Sequence, residues 1–240
     1  STFQSFKADL AFFFNQDINV QLFRTLVLPN SPMADPTYQQ QHQLIYDENG
    51  LLLESATFSQ YDIERMEFLG RLFRCTHTYG MLRYLLHFLE WEYHIAPLDF
   101  LETLMNHIHE HQVPPFLELF WDRESKTVDM LTTHISLREK CRKNGEWHLF
   151  FHDVKQYIVR HYAIDEPRLD TVLELQTALM PSAFQHYPLK LSLPYDFVTY
   201  YWDHRNNHSK ALSLKDYPPS QLSVSDPLNL AQLPITPQRE

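Results

Sequence analysis

Residues 2–29, TFQSFKADLAFFFNQDINVQLFRTLVLP, decide the fold class. Phe3, Phe6, Leu10, Phe13 and Phe14 recur at helical spacing, with the Thr2 hydroxyl placed to cap the first turn. The stretch Ile18–Pro29 is β-branched and apolar with few polar breaks, the composition of a strand covered on both faces in a parallel sheet. A helix that runs directly into a buried strand is half of an α/β repeat, and one half-unit cannot form a sheet alone. The strand ends in Leu28-Pro29-Asn30-Ser31-Pro32-Met33, where two prolines force a turn and Asn30 tolerates a left-handed backbone.

Beyond this turn the pattern predicts a loop carrying Tyr38 and the Gln-rich stretch Gln39–Gln43, then two short extended segments in 44–59 around a turn at Asp47–Gly50. At Ser59 the period changes to helical. Ser59 is the expected N-cap, with Asp62 in the place of the Glu of a capping box, and Ile63, Met66, Leu69 and Phe73 share one face. A second helix carries Met81, Leu82, Leu85, Leu86 and Leu89 and ends before Pro97. Further helices are expected at 97–111, 114–123, 125–143, 146–163 and 167–180, the last closed by Pro181. Their short connections argue for a packed helical domain. Tyr187–Pro194 and Tyr195–Trp202 alternate as two short strands, read as a hairpin around Pro194, and 206–240 reads as an extended or disordered tail rich in Pro, Ser and Gln. The aromatic run within Tyr195–His204 is expected to pack against a helix or a neighbouring domain rather than stack on a base or corrin.

The chain of 240 residues carries 17 Phe, 13 Tyr and 4 Trp, too many aromatics for a wholly disordered polymer. Its net charge of −10, from 20 basic and 30 acidic side chains, argues against generic nucleic-acid binding, which needs clustered Lys and Arg. No apolar run approaches the ~20 residues that span a bilayer, so no membrane contact is expected. Four glycines leave no Gly-rich phosphate loop. Cys75 and Cys141 cannot make a disulfide framework and read as reduced thiols, which places the chain in the cytoplasm. Starting at Ser1 in what reads as the middle of a unit, the sequence is expected to be a piece of a longer protein.

The order of helix, strand and Leu28-Pro29-Asn30-Ser31-Pro32 turn resembles the end of a radical S-adenosylmethionine (SAM) barrel, whose last strand often runs into a Leu-Pro-Gly-Thr-Pro type turn; here Asn30 stands in place of Gly. SATFSQYDIERMEFLGRLFRCTHTYG (Ser55–Gly80) is similar to the helical region after the barrel in the cobalamin-binding branch of that family. The resemblance covers roughly residues 1–95. It implies a mainly α chain in four parts: residues 1–33 as the last helix–strand unit of a (β/α) barrel, a connection at 34–58, a helical domain with a short β element at 59–205, and the tail at 206–240. It also implies an enzyme in which a [4Fe–4S] cluster cleaves SAM to a 5′-deoxyadenosyl radical that abstracts hydrogen from a small-molecule substrate, with cobalamin as a further cofactor. The family holds that cluster with a Cys-x3-Cys-x2-Cys loop, and Cys75 and Cys141 do not fit this spacing. This chain is therefore expected to have no catalytic residue and to be inactive alone. Its implied partners are upstream barrel and cobalamin-binding domains of the same parent chain, whose cavity it would close and wall.

If Val20–Leu28 is the last barrel strand, alternation puts Gln21, Phe23, Thr25 and Val27 on one face and Leu22, Arg24 and Leu26 on the other. Gln21, Thr25 and Arg24 are then the expected cofactor contacts, because a polar group in a buried strand must be paired or must reach a ligand. Phe23, Tyr79 and Arg83 are the expected wall of the substrate cavity. His107 and His111 stand at the i, i+4 spacing of zinc helices, but the order His-Glu-His departs from His-Glu-x-x-His and no third ligand follows, so no metal is assigned. Cys75 and His77 read as a buried thiol and its neighbour rather than a nucleophile and base. Two readings from other classes compete: a non-catalytic helical protein-interaction module, and a metal-dependent hydrolase using His107 and His111.

Overall fold

The computed structural model describes residues 35–46, 52–78, 80–118, 137, 139–207, 211–226 and 231–232. The expected barrel helix and strand, with Gln21, Phe23, Arg24 and Thr25, lie outside the described residues, as do Tyr79, the Asp47–Gly50 turn and most of the helix expected at 125–143. The described residues are mainly helical, with two short two-stranded sheets. The chain divides into two compact units, Ser1–Arg71 and Leu72–Glu240.

In the first unit, α1 (Pro36–His42) replaces the loop expected around Gln39–Gln43. The Asp35-Pro36 pair explains it. Proline at the first helical position gives up no intrahelical bond, and the Asp35 carboxylate accepts the Thr37 and Tyr38 N–H groups at 2.7 and 3.4 Å. Those two bonds hold the Asp35 carboxyl below its ordinary pKa. Two short extended segments follow as expected: β1 (Ile45–Tyr46) pairs antiparallel with β2 (Leu52–Glu54). Next comes α2 (Gln60–Phe73), whose start carries the expected capping box. The Ser59 N–H and hydroxyl both donate to Asp62 Oδ2, at 2.9 and 2.7 Å, while Ser59 Oγ accepts the Asp62 N–H at 3.2 Å.

The second unit opens with the last two residues of α2, Leu72 and Phe73, and then a π-helical segment, Arg74–Thr78, whose Thr76 hydroxyl donates to the Leu72 carbonyl at 2.7 Å. The helices α3 (Arg83–Tyr93), α4 (Pro97–His109), the single turn α5 (Pro115–Glu118), α6 (Trp147–Tyr162) and α7 (Pro167–Ala178) follow, with a further helical stretch at 139–144. Prolines open α4 and α7, each after an extended residue, Ala96 and Glu166, as the residue before proline prefers. The core is the inner stripe of each helix: Leu85, Leu86 and Leu89 from α3, Phe100, Leu104 and Ile108 from α4, Phe150, Val154 and Ile158 from α6. At the centre is α7, which touches α3, α6 and the strand that follows it.

Two parts of the C-terminal region differ from the sequence reading. Residues expected as the second strand of a hairpin form helix α8 (Phe197–Asn207). Asp196 begins it by accepting the N–H and hydroxyl of Thr199 at 3.1 and 2.7 Å, and Phe197, Tyr200, Tyr201 and His204 make the buried stripe. The expected tail is not loose where it is described. Strand β3 (Leu189–Leu193) pairs antiparallel with β4 (Ser220–Val224), in the register Leu189 to Val224 and Leu193 to Ser220, and a 3₁₀ turn at Leu214–Asp216 precedes β4. Ala231 is buried, and its carbonyl accepts from Arg142 at 2.6 Å.

Helix α7 is buried on several sides, through Leu169, Thr171, Val172, Leu175, Gln176 and Ala178. Its one fully enclosed amide, Gln176, ties it to the start of α3: Oε1 accepts the Tyr84 N–H at 3.0 Å and Nε2 donates to the Gly80 carbonyl at 2.7 Å. Replacing Gln176 by Leu leaves both backbone groups buried and unpaired, which should cost about 2–4 kcal/mol. Urea unfolding checks this, with the exposed Gln156→Leu expected to stay within about 0.5 kcal/mol of the wild type.

Candidate functional site

The chemistry-bearing side chains of the second unit gather where α3 faces α8. Tyr84, His87 and Trp91 stand at i, i+3 and i+7 on α3, and Phe197, Tyr200, Tyr201 and His204 form the facing stripe of α8. Trp91 is stacked between two imidazoles, His87 with ring centroids 4.7 Å apart at 23° and His204 at 4.7 Å and 18°. Tyr201 meets Trp91, His87 and Tyr84 at 5.7, 5.4 and 5.2 Å. His77, from the π-helical segment, lies 6.5 Å edge-on to His87 and stacks on Phe73 at 4.9 Å. The aromatic run of α8 thus packs against a helix, as its composition predicts.

Burial governs the protonation of His87. His87 is only 6% exposed, and desolvation lowers its pKa from the ordinary 6.5 despite the Glu90 carboxylate 3.8 Å away, which favours the charged ring; Arg205 opposes it. His204 donates from Nδ1 to the Tyr200 carbonyl at 3.1 Å.

Next to Trp91 the column meets a charged knot. The Glu92 carboxylate, with its side chain 5% exposed, accepts from the Ser213 hydroxyl at 2.7 Å, the Leu214 N–H at 2.8 Å and the Arg168 guanidinium. Arg168 also donates to Glu166 at 2.8 Å and to Ser213 Oγ at 3.0 Å, while the Tyr93 hydroxyl donates to Glu166. Burial first, then the Glu92 charge, drives the Tyr200 phenol far above its ordinary range. Tyr217, desolvated and donating to Asp203 at 2.9 Å, is pushed up to about 12. Glu92 and Arg168 have their bonding capacity taken up by one another and by the chain. The knot clamps α3, α7 and the 211–216 segment together and is not an acid–base pair.

Of the side chains singled out in the sequence as site residues, Arg83 is the one among the described residues, and it donates from Nε to the His77 carbonyl at 3.0 Å, bracing the turn at Gly80. His107 and His111 do not share a helical face. Helix α4 ends at His109, and His111 has a left-handed backbone (φ 55°) with its ring 3.7 Å from Glu118. His107 instead meets His161 of α6 at 4.6 Å between ring centroids. Three residues given no site role from the sequence, Trp91, His87 and His204, carry the most distinctive geometry. The signal for them was their spacing, i and i+4 for His87 and Trp91, with His204 on the same helical stripe as Tyr200 and Tyr201.

The thiols do not suit an iron–sulfur cluster. Cys75 and Cys141 are both buried and outside any disulfide, and desolvation pushes Cys141 up to about 12, so it stays a protonated thiol. Among the described residues no three His, Cys, Asp or Glu side chains converge as a closed metal site would need, and no helix is long and apolar enough to cross a membrane. No family model and no curated protein matches the chain.

Two outcomes test the site. Arg168→Met strands the buried Glu92 charge and should destabilise by about 3 kcal/mol, with Glu92→Gln added in the same chain recovering part of the loss in chemical denaturation. Because the folded-state pKa of His87 lies below 6.5, its contribution to stability is complete above that pH. As pH falls below 6.5 the unfolded chain binds a proton that the folded chain refuses, and stability drops toward the folded pKa. His87→Gln should flatten the fall in stability between pH 7.5 and 5.5, measured by urea midpoints.

Proposed function

We propose that this chain is the C-terminal region of a radical SAM enzyme of the cobalamin-binding branch, where it closes the barrel and walls the substrate cavity without supplying a catalytic group. The observation that carries the reading is the run from Leu28-Pro29-Asn30-Ser31-Pro32 into Ser55–Gly80, whose described part is a Ser59-capped helix passing into a π-helical segment. The makeup of the second unit supports a wall rather than a catalyst. Its buried core combines leucines with Phe, Tyr and Trp rings, and the carboxylate and guanidinium of Glu92 and Arg168 are engaged with each other. A radical site needs such a cover to exclude water and other quenchers. The cysteines do not fit the cluster, so its ligands, and the contacts to SAM and cobalamin, belong to other residues of the parent, with Gln21, Arg24 and Thr25 as this chain's candidates.

The test is made on the full-length product of the native gene, purified without oxygen. Expected are about four iron atoms with matching sulfide per chain, cobalt alongside, and an in-frame Cys-x3-Cys-x2-Cys upstream of Ser1. Iron without cobalt keeps the radical chemistry and removes cobalamin from it. A product that begins near Ser1 and binds neither metal overturns the enzyme reading in favour of a helical interaction module.

A further inference from the structure

His107 of α4 and His161 of α6 come from different helices and stand with ring centroids 4.6 Å apart and planes at 74°. The two rings are held rather than merely near. His107 donates from Nδ1 to the Thr103 carbonyl at 2.8 Å, which fixes the tautomer and leaves the lone pair on Nε2. His161 is stacked parallel on Tyr157 at 5.7 Å, and Tyr157 also meets His107 edge-on at 5.7 Å, so one buried phenol ring supports both imidazoles. His161 is exposed and His107 half-buried, so the pair opens to solvent. With metal–nitrogen bonds of about 2.1 Å, two imidazoles on one ion have centroids about 4.5 Å apart when the bonds meet at a right angle, as around copper(II), and about 5.2 Å at a tetrahedral angle.

We propose that His107 and His161 form a two-imidazole clamp for a single borderline divalent transition ion, with copper(II) bound more tightly than zinc(II) as the Irving–Williams order requires. Water fills the remaining coordination positions, so the clamp is an open site. The inference is independent of the radical SAM reading, and the full chain serves for its test.

Isothermal titration of the full chain with copper(II) and with zinc(II) should show one ion per chain, and His107→Gln and His161→Gln should each abolish that event. Two control variants should leave it intact: His111→Gln, the helical partner that the sequence spacing suggests, and His148→Gln/His152→Gln, an exposed i, i+4 pair on α6. Circular dichroism of the metal-free variants confirms that each is folded. Should either His107→Gln or His161→Gln fail to fold, electron paramagnetic resonance of copper on the unmodified chain decides. Coupling to two imidazole nitrogens, with zinc competing for the signal, supports the clamp together with control variants that retain it. No stoichiometric ion, coupling to fewer than two imidazoles, binding that survives loss of His107 or His161, or binding lost in either control variant overturns it.

Discussion

A helix enclosed on several sides must find a partner for every polar group it carries, and α7 meets that requirement at both ends. Near its C-terminus, the Gln176 amide takes up two backbone groups at the start of α3. In its first turn, Arg168 reaches Glu92 on α3 and Ser213 beyond α8. Apolar contact alone would let α7 slide or rotate, since burial is non-directional. The two polar ties fix its register against α3, and α3 in turn presents Tyr84, His87 and Trp91 to α8. The aromatic column is thus a consequence of how α7 is satisfied. A buried pair such as Glu92–Arg168 adds little net stability, and its value here is to specify one arrangement; this is a hypothesis that the double variant of Glu92 and Arg168 addresses.

What could be read from the chain depended on whether the deciding signal was local. The Ser59–Asp62 box and the helices Trp147–Tyr162 and Pro167–Ala178, one behind a proline, are written in neighbouring residues, and they stand close to where the sequence places them. Helix α1 was also local but was obscured by a glutamine run; Asp35-Pro36 marks its start. Helix α8 was missed for a different reason. Phe197, Thr199 and Tyr201 alternate as in a strand, yet Phe197, Tyr200, Tyr201 and His204 also fit a helical stripe, and the Asp196–Thr199 cap tips the balance. The β4 strand, in a segment poor in apolar residues, exists because β3 pairs with it. Such pairing across intervening chain cannot be read from either strand alone. The site followed the same rule: His107 and His111 were visible as neighbours in sequence, whereas His107 and His161 become neighbours only when α4 and α6 pack.

The electrostatics of the second unit divide by burial. Inside, the Tyr200 phenol and the Cys141 thiol are neutral with raised pKa values, the His87 imidazole has a lowered one, and Glu92 and Arg168 are mutually bound. Desolvation lowers the pKa of two imidazoles, His87 in the column and His161 on α6. The interior is built for shape and the surface keeps the open valences.

Among the described residues, three helices close on residues with a left-handed backbone that are not glycine: α1 on Gln43 (φ 50°), α3 on His94 (φ 57°) and α6 on Ala163 (φ 56°). A Cβ in that conformation costs about 1–2 kcal/mol, and a chain with only four glycines has accepted the cost repeatedly. Its folded state therefore sits below the stability its own topology permits. For a lineage this is latent capacity: a single exchange to glycine at Ala163 can offset a destabilising substitution elsewhere, so the sequence has room to explore new surfaces without losing the fold.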